Sequence, residues 1–335
     1  MEFTTQSSAA QPRFRLSVVV AMYNEEEVCG LFFERLEPIL ESVTADYEII
    51  CVNDGSSDRT LETLRAVHSR NPRVRVIDLS RNFGKEFALT AALDYATGDA
   101  VVPIDADLQD PPELIPKMIE KWMEGYDVVL AIREDRSSDS RVKRLTAEYF
   151  YRLMKQIGEV SLPANAGDFR LMDGAVVEAL RRLPERTRFL KGLFAWLGFR
   201  QTAVYYARPP RAAGATKWRY WRLWNLALEG IFSFTTLPLR IWTYIGFAVA
   251  FLAAVYLVFI VTRTLIFGVD APGYASLLSV ILFTSGANMV GLGILGEYLG
   301  RVFVEAKRRP LYLVRECIGF ENPTSPRPPR RRAYE

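Results

Sequence analysis

Over its first 135 residues the chain alternates short apolar runs with polar, turn-rich stretches. Leu16-Ser-Val-Val-Val-Ala-Met22 is continuously apolar, the pattern of a strand buried on both faces. Asn24-Glu25-Glu26-Glu27 follows and predicts a helix start, with Asn24 as N-cap and an acid three residues on. Tyr47 to Val52 predicts a second strand, ending in the turn Asn53-Asp54-Gly55-Ser56-Ser57-Asp58 that opens another helix. Val74 to Leu79 predicts a third strand, Ala100 to Ile104 a fourth, and Asp127 to Ile132 a fifth that ends at Arg133. Asp110-Pro111-Pro112-Glu113 predicts a further helix start, with an N-cap, proline in the first turn and an acid at the third position. Strands alternating with helices imply an α/β domain built on a mainly parallel, doubly wound sheet.

The last third has a different texture. Ile241 to Thr262 is 22 residues without a charge, between Arg240 and Arg263, and Ala271 to Gly296 is a second uncharged run of 26. As helices these reach about 33 Å and about 39 Å, enough to span hydrocarbon, and they predict a two-helix transmembrane hairpin. Seven Lys/Arg against the single Glu229 precede it, from Arg200 to Arg240. Arg301, Lys307, Arg308, Arg309 and Arg315 follow it, while the connection holds only Arg263 and Asp270. Basic flanks place both termini on the cytoplasmic side of the plasma membrane. Trp218, Trp221 and Trp224, interleaved with Lys217, Arg219 and Arg222, predict an interfacial helix that meets membrane lipid, a reading favoured over nucleic-acid stacking. Asn288, inside the second run, is placed to hydrogen-bond another helix, as in a homo-oligomer. The expected organisation is a disordered N-terminus at 1–15, a cytoplasmic domain at 16–215 and a juxtamembrane amphipathic segment at 216–240. Membrane helices at 241–262 and 271–296 and a basic tail at 297–335 complete it.

Composition narrows the chemistry. The 335 residues carry 42 Lys/Arg against 39 Asp/Glu, +3 in all. From Leu237 onward there are 11 Lys/Arg against 6 Asp/Glu, so residues 1–236 hold 31 against 33 and are slightly acidic. An acidic body argues against general nucleic-acid binding. With one histidine, His68, neither a Ser-His-Asp arrangement nor a multi-histidine metal site is supported. Cys29, Cys51 and Cys317 are odd in number and scattered, which fits a reducing compartment without disulfides.

Polar residues gather where an open α/β sheet binds ligands: Tyr23-Asn24-Glu25, Asn53-Asp54, Asp105-x-Asp107 and Arg133 all follow predicted strand ends. The turn after the first strand lacks the glycines of a dinucleotide site, and there is no phosphate-binding P-loop; Gly291 to Gly296 falls inside the second apolar run. Asp105-x-Asp107-x-Gln109 puts two carboxylates and an amide on alternate positions, which in an extended segment point one way. Such oxygens suit Mg²⁺ or Mn²⁺ shared with phosphate. Arg81, Asn82 and Lys85 follow the third strand and face the same edge, and Arg141, Lys143 and Arg144 read either as a phosphate-binding group or as a solvated helix face.

The chain resembles family 2 glycosyltransferases of the polyprenyl-phosphate branch. It is similar to dolichol-phosphate mannose synthases and, more closely, to bacterial bactoprenol (undecaprenyl-phosphate) glucosyltransferases. The motifs are SVVVAMYNEEE (17–27), VNDGSSD (52–58), LSRNFGKEFALTAALDYATGD (79–99), IDADLQDPPELIPKM (104–118), GDFRLMD (167–173), GATKWRY (214–220) and FSFTTLPLRIWTYIG (232–246). The resemblance implies a GT-A-type fold and inverting transfer of a hexose, glucose favoured, from a UDP-sugar to polyprenyl phosphate for cell-envelope glycans. Transfer of N-acetylhexosamine, galactose, aminoarabinose or mannose from GDP-mannose stays open, as does a non-catalytic scaffold that binds nucleotide sugar. It implies nucleotide contacts at Ala21, Tyr23, Glu25, Val52 and Asp54, with Ala21 where the family often has proline. It also implies a metal and diphosphate site at Asp105, Asp107 and Gln109 and a basic contact at Arg133. Arg211 and Lys217 fall in the segment that closes over phosphate. Asp168 matches the acid proposed as catalytic base; because a lipid phosphate is already anionic, either a base or an orienting group fits it.

Overall fold

The computed structural model describes residues 14–133, 166–186, 188, 190–206, 237–267 and 273–320. Eight strands form one sheet: β1 (Leu16–Met22), β2 (Tyr47–Asn53), β3 (Val74–Leu79), β4 (Ala100–Pro103), β5 (Val128–Arg133), β6 (Ala166–Asp173), β7 (Gln201–Tyr206) and β8 (Val314–Ile318). Their order is β7-β5-β6-β4-β1-β2-β3-β8. β1, β2, β3 and β4 are parallel neighbours, as are β5 and β7, while β6 and β8 run antiparallel. The helices are α1 (Glu26–Val43), α2 (Thr60–Arg70), α3 (Lys85–Tyr95), α4 (Ile115–Met123), α5 (Gly174–Arg181), α6 (Leu190–Trp196), α7 (Leu237–Phe267) and α8 (Tyr274–Lys307).

The continuous apolar runs have their reason here, since both faces of the sheet are covered. Val18, Val20 and Met22 of β1 pack on one side with Phe32 and Leu36 of α1, Leu64 of α2 and Trp122 of α4. Val19 faces the other side with Ala88 and Ala91 of α3, Val177 of α5 and Leu193 of α6. Trp122 and Phe32 are fully enclosed, so truncating either to alanine costs about 3–5 kcal/mol.

Two expected helix caps are corrected. Asn24 sits at φ 54 and does not cap α1, whose N-cap is Glu25. Its side-chain oxygen accepts from Ser57 N–H at 2.8 Å, so it ties β1 to the turn after β2. Asp110 does not cap the helix behind it either. It is buried, its carboxylate accepts from the Tyr206 hydroxyl at 2.9 Å, and Pro111 occupies the cap before a single 3₁₀ turn at Pro112–Leu114.

The C-terminal third forms two long helices, α7 of 31 residues and α8 of 34. Among the described residues alone, no helix is long and apolar enough to cross a membrane. In the full sequence α7 carries no charge between Arg240 and Arg263, and α8 none before Glu297. Phe247, Phe251, Phe267, Phe283 and Met289 project from the pair exposed. The segment expected as a basic tail is only partly that. After α8 the chain turns back, and β8 pairs with the outer edge of β3, Ser80 N–H donating to the Leu313 carbonyl. Tyr312 bonds Asp94, Phe320 meets the ring of Tyr95 at 5.3 Å, and Arg315 reaches Asp78 and the Ser80 carbonyl. Tyr312, Val314, Cys317 and Phe320 pack on the core beside α3, while Ile318 packs on the core of the other face, and the β3–β8 register shifts between Asp78 and Leu79.

Candidate functional site

Because β1 to β5 share one direction, their C-terminal ends meet at one edge of the sheet, and the antiparallel β6 brings its start to the same edge, with Ala166 opposite Ile132. The loops there fall into two kinds.

The loops after β1, β2 and β3 are tied by backbone bonds. Asp54, 3% exposed, accepts from Phe83 N–H at 2.7 Å and Gly84 N–H at 2.9 Å. Burial raises its carboxyl above the ordinary value, opposed by those two amides and by the charge of Arg81. Asn53 donates to Asp78, and Ser56 and Ser57 engage Asn24. Gly55 stands at φ 64 with its α-carbon against Arg81, where a β-carbon would lie 2.4 Å from the Arg81 carbonyl carbon; glycine is required.

The second group is charged side chain against charged side chain. Lys85, the first residue of α3, puts its ammonium 2.7 Å from Asp105 after β4 and 2.7 Å from Asp168 in β6. Lys191 of α6 lies 3.8 Å from the other oxygen of Asp168. Burial alone would lower the Lys85 ammonium, but Asp105 and Asp168 outweigh it and hold it well above its usual value. Burial likewise opposes ionisation of Asp168, yet Lys85 first and then Lys191 hold that carboxyl far below the usual range. Asp168 is therefore ionised at neutral pH and a weak proton acceptor. Beneath it Arg170 is buried, donating to the Gly167 carbonyl at 2.7 Å and lying over the Phe194 ring at 4.2 Å. Desolvation brings its guanidinium down to about 10. Glu86 accepts from Leu190 N–H at 3.2 Å, and burial, then the charge of Asp168, raises it to about 7.

The remaining predicted residues are dispersed more widely. Asp107 and Gln109 share a turn, not an extended segment, because Leu108 sits at φ 57; Gln109 N–H donates to the Asp107 carboxylate at 3.1 Å. The expected strand alternation is thus corrected: the segment turns at Leu108. Tyr23 is exposed at the rim and Glu25 begins α1, its amide donating to Thr60. Ala21 is half-buried, and Val52 is fully buried in the core, leaving only its backbone to reach a ligand. Arg133 ends β5 and bonds the Tyr206 hydroxyl, its buried Nε finding no acceptor among the described residues. Arg141, Arg211 and Lys217 lie outside the described residues. Sequence reasoning missed Glu86, Arg170 and Lys191; Glu86 lies in the 79–99 motif and Arg170 in the 167–173 motif, while no motif marked Lys191.

Asp105, Asp107 and Gln109 lie on the short loop after β4, and their side chains carry hard oxygens of the kind that suits a divalent cation completing its shell from phosphate and water. Among the described residues no cluster of three or more acidic, histidine or cysteine side chains gathers to hold a metal alone.

Residues 17–181, which span both kinds of loop, match glycosyl transferase family 2. An uncharacterized glycosyltransferase of Synechocystis is 54% identical over 306 residues, 91% of this chain and 96% of its own length. The chain belongs to glycosyl transferase family 2. It is a transferase with a GT-A-like mixed sheet. A prophage bactoprenol glucosyl transferase homolog of Escherichia coli is 50% identical over 90% of this chain and 98% of its own. The bactoprenol glucosyl transferase of Shigella phage SfV is 49% identical over the same shares. Among solved structures, a glucosyl-3-phosphoglycerate synthase of Mycobacterium tuberculosis, crystallised with Mn²⁺ and UDP-glucose, aligns over 65% of this chain and 78% of its own, at 21% identity and a TM-score of 0.44.

Proposed function

We propose that this glycosyltransferase moves glucose, with inversion, from UDP-glucose to a polyprenyl phosphate such as undecaprenyl phosphate. The observation that carries the chemistry is the Lys85 ammonium held between Asp105 and Asp168 at the strand-end crevice. The bactoprenol glucosyl transferases at about half identity over nearly their whole length support the donor sugar and the lipid acceptor.

Transfer to a phosphate asks little of a base and much of cations. The acceptor phosphate is already largely anionic near neutral pH, and an ionised Asp168 suits a group that positions lysines better than one that takes a proton. Lys85 and Arg133 flank the place where the leaving diphosphate gathers charge, and fixed cations there lower the barrier. Asp105 and Asp107, with Gln109, would hold Mg²⁺ or Mn²⁺. When bound, that ion neutralises charge on the diphosphate as it departs. A single displacement needs no enzyme nucleophile, and Asp168, paired with Lys85 and facing Lys191, is poorly suited to be one.

The same reading places α7 and α8 in the plasma membrane as a hairpin, with the catalytic domain and both termini cytoplasmic. Its support is the uncharged sequence of each helix, the exposed aromatic and aliphatic side chains along them and the basic flanks. A lipid acceptor then lies in the bilayer to which the domain is anchored.

The test is a donor screen with purified full-length protein, undecaprenyl phosphate and Mg²⁺ or Mn²⁺, scoring glucosyl-lipid by mass. UDP-glucose is expected to give product and Asp107→Asn to lose it. Product from another nucleotide sugar alone overturns the choice of glucose, and near-normal turnover in Asp107→Asn overturns the metal assignment.

A further inference from the structure

We propose that Lys191 binds the phosphate of the acceptor, and that Asp168 is the positioning residue which holds Lys191 and Lys85 on opposite sides of the reaction. The proposal rests on the acceptor being a lipid phosphate.

The two oxygens of Asp168 serve different lysines. Oδ2 takes Lys85 at 2.7 Å, while Oδ1 faces Lys191 at 3.8 Å. Lys85 is shared with Asp105, next to the proposed diphosphate site, and so belongs to the donor side. Lys191 is held more loosely, and its side chain is 39% exposed. A cation at that distance keeps its place beside the carboxylate and still offers hydrogens to a second anion. A phosphate brought toward the Oδ1 side of Asp168 without Lys191 would meet carboxylate oxygen instead of a cation. Arg170 does not fill the role: it is buried, its hydrogens engaged by the Gly167 carbonyl and its face by Phe194.

The segment before Lys191 is fixed from two directions. Leu190 N–H is held by Glu86, the residue after Lys85. Arg186 N–H donates at 2.7 Å to Glu305, in the last turn of α8. The lysine is thus anchored on one side to the helix that starts at the donor-side cation and on the other to the end of the proposed membrane hairpin.

Chemically, a phosphate oxygen of the acceptor forms the new bond to the anomeric carbon as the bond from that carbon to the β-phosphate oxygen breaks. The electron pair leaves with UDP. A dianionic phosphate monoester becomes a monoanionic diester, and the negative charge it loses appears on UDP, moving from the Lys191 side to the Lys85 side.

The experiment compares wild type, Lys191→Met, Lys191→Gln and Lys191→Arg as full-length protein in lipid nanodiscs, with undecaprenyl phosphate and UDP-glucose. The KM for undecaprenyl phosphate is expected to rise about 10- to 100-fold in Lys191→Met and Lys191→Gln, as for loss of a charge-assisted contact. The Kd for UDP, measured by calorimetry, stays within about twofold, and Lys191→Arg recovers most of the acceptor KM. An unchanged acceptor KM, or a loss of UDP affinity that tracks it, overturns the proposal; unfolding midpoints matching wild type show that either result concerns binding. If wild type glucosylates the lipid while the variants keep their acceptor KM, Lys191 fails and the function stands. If wild type makes no glucosyl-lipid, both fail.

Discussion

Asp54 and Asp168 are acids at the same edge of the same sheet, and they are held in opposite ways. Asp54 is closed in by two backbone amides that fix the Phe83-Gly84 turn. Asp168 is held by two lysines from distant parts of the chain, one of which it shares with Asp105. Backbone amides cannot leave, so the first arrangement shapes a loop. Lysine side chains can trade one anion for another, so the second can receive phosphate. Position at a strand end identifies both acids as candidates, and only the nature of their partners separates scaffold from chemistry.

The sharpest break in that comparison comes from the charged group. Asp105→Asn or Asp107→Asn is expected to lower kcat/KM by roughly 10³-fold with an unchanged unfolding midpoint, read by glucosyl-lipid formation and calorimetry. Lys85→Met follows, at roughly 10²-fold, because it leaves Asp105 and Asp168 facing each other without their shared cation. Asp54→Ala should act on stability instead, costing about 2–3 kcal/mol in chemical denaturation by stranding two amides. A variant that unfolds normally yet loses turnover like Asp105→Asn would erase the distinction.

Glu86 gives a pH test of the charged side. Its folded value of about 7 lies above the ordinary 4.5, so the folded state binds the extra proton between those limits. The contribution of Glu86 to stability therefore falls as pH rises from about 4.5 to about 7 and levels beyond. Glu86→Gln, which keeps an oxygen for Leu190 N–H, should match wild type near pH 4.5 and exceed it by about 1–2 kcal/mol at pH 8. Equal stability of the two at pH 8 would show that Glu86 ionises freely. The smallest effect belongs to the exposed pair Arg65–Glu316 on β8, where Glu316→Gln should change stability by less than about 0.5 kcal/mol.

The first five strands were legible because each is an apolar run between turn residues, and a sheet covered on both faces demands such runs. Two of the other three, β6 and β8, were concealed by what they carry. β6 contains Asp168 and Arg170, charges that read as loop until Lys85, Lys191 and Phe194 arrive to match them. β8 is Val-Arg-Glu-Cys-Ile, set among basic residues that suggest a tail. Within the site, Asp105, Asp107, Asp168 and Lys85 could be named from motifs. Lys191 lies in no such motif, Glu86 lies in that of Lys85, and the meaning of both comes from contacts 23 and 104 residues away in sequence. Asn24 shows the converse: its sequence context is that of a helix cap, and its tertiary context makes it a brace for a neighbouring turn.

The returning strand has a consequence for biosynthesis. β3 lies between β2 and β8, and 235 residues separate Leu79 from Val314. At roughly 5–20 residues per second, a ribosome needs on the order of 10–50 s to cover that interval. For all of it the nascent domain exposes an unpaired strand edge, the kind of surface that recruits other chains. The catalytic sheet is completed only after both long helices have emerged, so emergence of α7 and α8 and closure of the sheet become successive stages of one assembly event.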